Sequence, residues 1–173
     1  CEDEGVSPDF MTTAKGLTNG VIPMGAVFVR RAVHDAVVQG PEGAIEFFHG
    51  YTYSGHPVAC AAGLAVLEIY AREELFGRVA ALAPLWEAAL HALRAAPHVI
   101  DIRNVGLMGA IELSPRDGAP GARGYEVLVS ALQAGLLVRA TGDTIALSPP
   151  LIISQAEIDK LTGILGGVLA AIA

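Results

Sequence analysis

Lys15 stands in Thr12-Thr13-Ala14-Lys15-Gly16-Leu17-Thr18-Asn19-Gly20, set between small residues and a tight turn, with an apolar run over residues 21–29 close behind. The only other lysine, Lys160, lies on the polar side of a helical pattern near the C-terminus. A lysine amine attacks a carbonyl carbon and forms a Schiff base when enough of it is neutral. Apolar surroundings lower a lysine pKa and supply that neutral form. The local pattern leaves two readings of Lys15 open. One is a solvated charge, as most lysines are. The other is a reactive amine, which expects Lys15 to be crowded by apolar neighbours.

A second stretch mixes rings, hydroxyls and glycines: Phe47-Phe48-His49-Gly50-Tyr51-Thr52-Tyr53-Ser54-Gly55-His56-Pro57. His49 and His56 read as loop-ordering hydrogen-bond partners or as general bases, the first being the plainer role. The other three histidines, His34, His91 and His98, lack metal-ligand spacing, and His91 and His98 read as surface residues. Several templates fail. There is no nucleotide P-loop, no dinucleotide glycine fingerprint and no zinc-protease helix, and no serine sits in a nucleophile elbow.

These residues need elements to hold them. Residues 10–14 read as an extended segment ending at Lys15, and Gly16, Gly20, Pro23 and Gly25 punctuate a loop. Residues 24–29 predict a buried strand, and residues 30–38 a short helix before a turn at 39–43. Pro57 suits the first position of a helix reaching about residue 71. That helix is apolar nearly all round and expects to be enclosed. A helix follows over 75–95, with Val79, Leu82, Trp86, Leu90 and Leu93 on one stripe and Pro84 either kinking or dividing it. Strands are predicted at 99–103 and 107–113 around a turn at 104–106, then a loop over 114–124. A helix through Tyr125 and Leu132 stops at Gly135. Short strands at 136–139 and 144–147 flank a Gly142-Asp143 turn. Ser154 and Glu157 form a capping box for a last helix that turns Ile158, Leu161, Leu165 and Leu169 inward.

The chain has 173 residues, 53% hydrophobic and 17% charged, enough for a sizeable core and unlike a disordered chain. Its net charge is -7 and Arg30-Arg31 is its only adjacent basic pair, which argues against nucleic acid and anionic membrane as partners. Apolar runs at 58–67 and 161–173 are too short to span a bilayer. Cys1 and Cys60 are far apart, without metal-type spacing, and Cys60 falls in an apolar helix where it reads as packing. A reducing, cytoplasmic setting fits. The polar start at residues 1–5 reads as a cut edge, and residues 1–75 lack the partners needed to cover an apolar strand and helix.

Taken in order, Ala14 to Gly20, then Pro23-Met24-Gly25-Ala26, then His49 to Pro57 resemble the class III aminotransferases, pyridoxal phosphate enzymes of fold type I. The likeness is strongest to β-alanine:pyruvate and ω-amino acid transaminases, and it runs from about residue 5 to the C-terminus. The paired motifs are specific together; either alone would be weak.

The resemblance implies an α/β chain. Residues 1–75 would be the incomplete C-terminal part of a large cofactor-binding domain, and residues 76–173 a small C-terminal αβ domain. Lys15 matches the lysine that holds pyridoxal 5'-phosphate covalently and then moves the substrate proton. Thr52 matches a threonine that reaches the cofactor phosphate across a subunit boundary, which implies at least a homodimer, and Tyr51 the neighbouring position, whose backbone can help. Taken alone, Thr52 reads as a helix-entry turn residue. Arg139 matches the arginine that grips a substrate carboxylate; alone, it reads as a strand-end residue in a surface pair. The implied activity moves an amino group from an amine or ω-amino acid to a keto acid such as pyruvate. Other class III chemistry (an aminomutase or a decarboxylase) and a non-catalytic αβ module are the alternatives. The family's aspartate for the pyridine nitrogen, its glycine-serine phosphate loop and its stacking aromatic are expected upstream of residue 1. Asp3 and Asp9 stand in the wrong motif. On this reading the chain alone binds cofactor poorly and is inactive.

Overall fold

The computed structural model describes residues 5–43 and 47–172. Cys1 and Asp3 therefore lie outside the described residues. The chain divides into two compact units, Cys1–Glu73 and Glu74–Ala173.

In the first unit, β1 (Phe10–Ala14) pairs antiparallel with β2 (Gly25–Val29), Phe10 opposite Val29 and Ala14 opposite Gly25. A 3-10 turn at Lys15–Leu17 leaves β1, and α1 (Arg31–Val37) follows β2. The long helix α2 (Pro57–Arg72) starts on Pro57, whose missing N–H costs nothing at a helix start. It faces Ala59, Gly63 and Val66 inward. Gly63 lets the helix come close, since a Cβ there would lie 3.5 Å from Met24 Sδ and 3.7 Å from the Leu17 carbonyl. The enclosure expected of α2 is absent among the described residues: Val58, Leu64 and Leu67 are exposed. On β2, Val27, Phe28 and Val29 are exposed too, so the strand expected to be buried is not. Two strands and one long helix supply too few neighbours to cover both faces of either element.

In the second unit, α3 (Leu75–His91) continues into a 3-10 turn at Ala92–Ala95. It runs unbroken through Pro84, so the proline does not divide it. Four antiparallel strands follow in the order β3-β4-β6-β5: β3 (Val99–Val105), β4 (Met108–Leu113), β5 (Arg139–Thr141) and β6 (Thr144–Leu147). A bulge interrupts β3 between Val99 and Asp101. The β3–β4 turn is Gly106-Leu107 rather than residues 104–106, because Asn104 still pairs with Gly109 and its side chain is held by His91 Nε2 at 3.1 Å. His91 and His98 are half-buried, not surface residues. Residues 136–138 are not strand; β5 begins only at Arg139.

Between the sheet strands, α4 (Ala122–Gln133) ends on Gly135, whose φ of +86° favours glycine; its N–H and that of Leu136 close the last turn. The capping box at Ser154 and Glu157 opens α5 (Gln155–Ala171) as expected. Alternation along the sheet is clean: Ile111, Leu113, Ile145 and Leu147 point to one face and join Trp86, Leu90, Val127, Ile158, Leu165 and Leu169 in the core. Leu161 packs at its margin. The other face carries Asp101, Arg103 and Glu112, with Arg103 Nη1 2.8 Å from Asp101 and 2.7 Å from Glu112.

Candidate functional site

Lys15 follows directly on β1 and adopts φ +53°, a left-handed conformation that costs a non-glycine residue about 1–3 kcal/mol. The strain is sustained by the turn around it. The Lys15 carbonyl accepts from the Thr18 N–H, and the Thr18 carbonyl from the Val21 N–H. Thr18 itself is buried, and its hydroxyl donates to the Ile22 carbonyl at 2.6 Å. From α2, Tyr70 Oη donates to the Gly16 carbonyl at 2.7 Å. The turn is thus clamped from inside by Thr18 and from the helix by Tyr70, while the Lys15 side chain stays exposed. The crowding expected around Lys15 is not met by the described residues. Lys15 Nζ makes no hydrogen bond or ion pair among them, so the amine is uncommitted.

Tyr51 and Thr52 lie in two overlapping turns that lead into α2. The Tyr51 N–H donates to Ser54 Oγ at 2.9 Å, the Ser54 N–H returns to the Tyr51 carbonyl at 2.9 Å, and the His56 N–H reaches the Tyr53 carbonyl at 3.2 Å. The Tyr51 amide that the sequence offered to an anion is therefore engaged within its own turn. Thr52 is exposed and its hydroxyl is unpartnered among the described residues. The rings stack along the loop: His49 meets Phe47 at 5.5 Å and Tyr51 edge-on at 5.6 Å, and Tyr53 meets His56 at 5.9 Å. The rings of His49 and His56 make these aromatic contacts but no hydrogen bond among the described residues, so the hydrogen-bonding role expected of them is not seen, and His56 Nδ1 is buried without a partner. A hollow of about 470 Å³ brings this loop to the segment after Lys15: Met24 and Gly25 line it with Tyr51, Tyr53, His56 and the half-buried Cys60. Lys15 and Thr52 do not line it. The start of α2 has no side-chain cap, and its first internal bond is Cys60 N–H to the His56 carbonyl. The N–H groups of Val58 and Ala59 therefore carry the positive end of a helix dipole without an intrahelical partner.

Arg139 belongs to the second unit. It opens β5, pairs with Ala146, and lines a groove of about 730 Å³ with Leu137, Ser148, Pro150, Ile153 and Glu157. The walls are apolar, with one guanidinium and one carboxylate. The carboxylate is already in use. Ser154, through its hydroxyl and then its backbone N–H, holds Glu157 below the ordinary carboxylate range against some burial, helped by Arg78 and Lys160. The Arg139 guanidinium has no hydrogen bond or ion pair among the described residues, so the surface pair considered for it is not formed.

The β5–β6 turn is held from α4. Asp143 Oδ2 accepts the Gly121 N–H at 2.6 Å and Oδ1 the Gly124 N–H at 2.9 Å. Burial pushes this carboxyl up, but the N–H groups of Gly121, Gly124 and Arg123, with the Arg123 charge, outweigh it and hold it below its ordinary value. Arg123, itself buried, donates to Ser114.

Thr18, Tyr70 and Asp143 are the residues around the candidate positions that sequence patterns did not single out. Asp9 pairs with Arg30 at 3.2 Å. Among the described residues no cluster of metal-ligating side chains occurs, and no helix is long and apolar enough to cross a membrane.

The family model for class-III aminotransferases matches residues 1–169. Over 168 residues the chain is 51% identical to an omega-aminotransferase of Caulobacter vibrioides, covering 97% of this chain and 38% of that protein. It is 49% identical over 171 residues to a beta-alanine--pyruvate aminotransferase of Pseudomonas aeruginosa, covering 98% of this chain and 38% of that protein. Among solved structures, an (S)-enantioselective omega-transaminase from Thermomicrobium roseum superposes with a TM-score of 0.88 at 35% identity, over 98% of this chain and 38% of that one. A PLP-bound amine transaminase from an uncultivated Pseudomonas species gives 0.88 at 35%, over 99% and 40%. The chain thus spans about 38% of the length of these two curated relatives.

Proposed function

The chain belongs to the class-III aminotransferases, and from that premise we propose that it serves the transfer of an amino group from an amine or ω-amino acid to a keto acid such as pyruvate, with pyridoxal 5'-phosphate as cofactor. The observation that carries this reading is Lys15: an uncommitted amine, held in a strained backbone conformation at the end of β1 by a turn that Thr18 and Tyr70 clamp. A surface lysine has no need of such a turn.

The donor chemistry fits the cofactor. Lys15 Nζ, exposed and unpartnered among the described residues, is the group to hold its aldehyde covalently. The Thr52 hydroxyl is the donor for a phosphate, and Tyr51 frames the turn that presents it, its own amide being spent on Ser54. The uncapped start of α2 adds favourable potential for a dianion. When bound, pyridoxal phosphate supplies an electron sink that acidifies the amine-bearing carbon of the substrate. Lys15 Nζ would hold the cofactor and, when not bonded to it, would be the base that takes that proton and returns it elsewhere. Arg139 grips the carboxylate of the keto acid with its planar fork, and the apolar walls of its groove strengthen the contact by limiting water.

The second unit is the small C-terminal domain of this enzyme, and the first is the end of its large cofactor-binding domain. The protein works as a homodimer at least, in the cytoplasm. Exposed Val27, Phe28, Leu64 and Leu67 in the first unit are the apolar surface such an assembly needs. Thr52 serves the neighbouring subunit's cofactor.

The test is spectroscopic and kinetic. The protein at its full native length, mixed with pyridoxal phosphate, should develop a visible absorbance band and convert pyruvate to alanine with an amine donor. Lys15→Ala should lose both. Turnover that survives Lys15→Ala refutes the reading.

A further inference from the structure

We infer that Asp143 is a positioning residue for Arg139: its carboxylate pins the β5–β6 turn to the N-terminus of α4 and thereby fixes where the guanidinium meets a substrate carboxylate. The inference rests on the carboxylate role proposed for Arg139.

Arg139 needs such an anchor. It sits on a strand of three residues at the edge of the sheet, with β6 as its only partner strand among the described residues. The segment before it, residues 134–138, has no ladder of its own, and Leu137 is exposed. What holds the hairpin is at its tip. Both oxygens of Asp143 are used, one on Gly121 and one on Gly124, so the carboxylate spans the first turn of α4 and satisfies amides that the helix leaves open. The backbone of the same residue ties the tip to the sheet, as the Asp143 carbonyl accepts the Leu113 N–H at 3.0 Å. The contact is close because no side chain intervenes: a Cβ on Gly124 would overlap the Gly142 carbonyl oxygen and lie 2.9 Å from Asp143 Cα. From the tip, the register carries position directly to the site. Thr141 faces Thr144, Ala140 faces Ile145, and Arg139 faces Ala146 at the mouth of the groove. A two-oxygen fork tolerates little displacement, so an error at the tip is felt as lost carboxylate recognition rather than lost chemistry.

The test uses the cofactor-loaded protein at its full native length, with Asp143→Ala and the milder Asp143→Asn. In Asp143→Ala, amide hydrogen exchange across residues 139–141 should accelerate about tenfold or more while α3 and α5 keep their protection. KM for pyruvate should rise about tenfold, whereas KM for benzaldehyde, an acceptor with no carboxylate, and the cofactor absorbance should not move. Asp143→Asn, which keeps an acceptor oxygen, should fall between. In an Arg139→Ala background, Asp143→Ala should add no further rise in the pyruvate KM. Unchanged exchange across 139–141 overturns the inference, and so does an equal rise in KM for both acceptors, the mark of general damage. If Arg139→Ala alone leaves the pyruvate KM unchanged, the carboxylate role of Arg139 has failed, and the exchange measurement still decides whether Asp143 positions the strand.

Discussion

Gly124 on α4 and Gly142 in the β5–β6 turn meet backbone against backbone, with no space for a side chain on Gly124. The opposing atom is a carbonyl oxygen fixed by the hairpin, so it cannot swing aside as the end of a flexible side chain would.

Gly124→Ala should therefore destabilise the second unit by about 1–3 kcal/mol, the cost of forcing a methyl group into a packed contact. Trp86 is the chain's single tryptophan and is wholly buried in that unit's core, so its fluorescence during urea unfolding measures the effect.

Gly163→Ala should do the opposite. Gly163 lies within α5, and a Cβ there meets nothing within 4 Å. The substitution removes unfolded-chain freedom and should stabilise by about 0.5–1 kcal/mol in the same assay. A matched pair of opposite signs separates close packing from helix propensity.

Acid should weaken the start of α5. The Ser154 hydroxyl and N–H hold Glu157 below the ordinary carboxylate range in the folded chain. A depressed folded value means that the stabilisation is complete above the unfolded carboxylate pKa. It is lost as pH falls through the lower folded one. The stability gap between the parent and Glu157→Gln should thus be full at neutral pH and close progressively below about pH 4. Ser154→Ala should cost about 1 kcal/mol at neutral pH by removing the cap. Urea midpoints across a pH series check both.

Thr18→Val should loosen the turn that carries Lys15. Valine matches the shape but leaves the buried end of the loop without the 2.6 Å bond to the Ile22 carbonyl. The expected loss is about 1–3 kcal/mol of local stability. It should appear as faster amide exchange over residues 15–22, with the second unit unaffected.

Local signals announced themselves in the sequence. Pro57 starts α2, the Ser154–Glu157 pair starts α5, and Gly135 ends α4, each through an interaction within a few residues. Where distant partners decide, the pattern misled or stayed silent. Asn104 and Gly106 look like one turn, yet pairing with Gly109 and the bond from His91 keep Asn104 in its strand. Apolar residues 136–138 look like a strand, but Val138 is buried as part of the core without a ladder partner. Around the candidate site, the motif near Lys15 marks the position of the amine. Its clamp from Tyr70 spans 54 residues, and the Asp143 anchor on Gly121 spans 22. No periodicity announces contacts of that kind. The openness of Lys15 was equally hidden, because the sequence gives the neighbours along the chain and not those that would wall the site.

The two rims of the four-stranded sheet are both poor templates for another strand. On one side β3 is broken by its bulge and carries alternating charge at Asp101 and Arg103; on the other, β5 ends after three residues. Neither margin offers a long, flat row of open backbone groups for edge-to-edge growth into fibrils. Self-association through this sheet is thereby steered away from strand addition and left to side-chain surfaces.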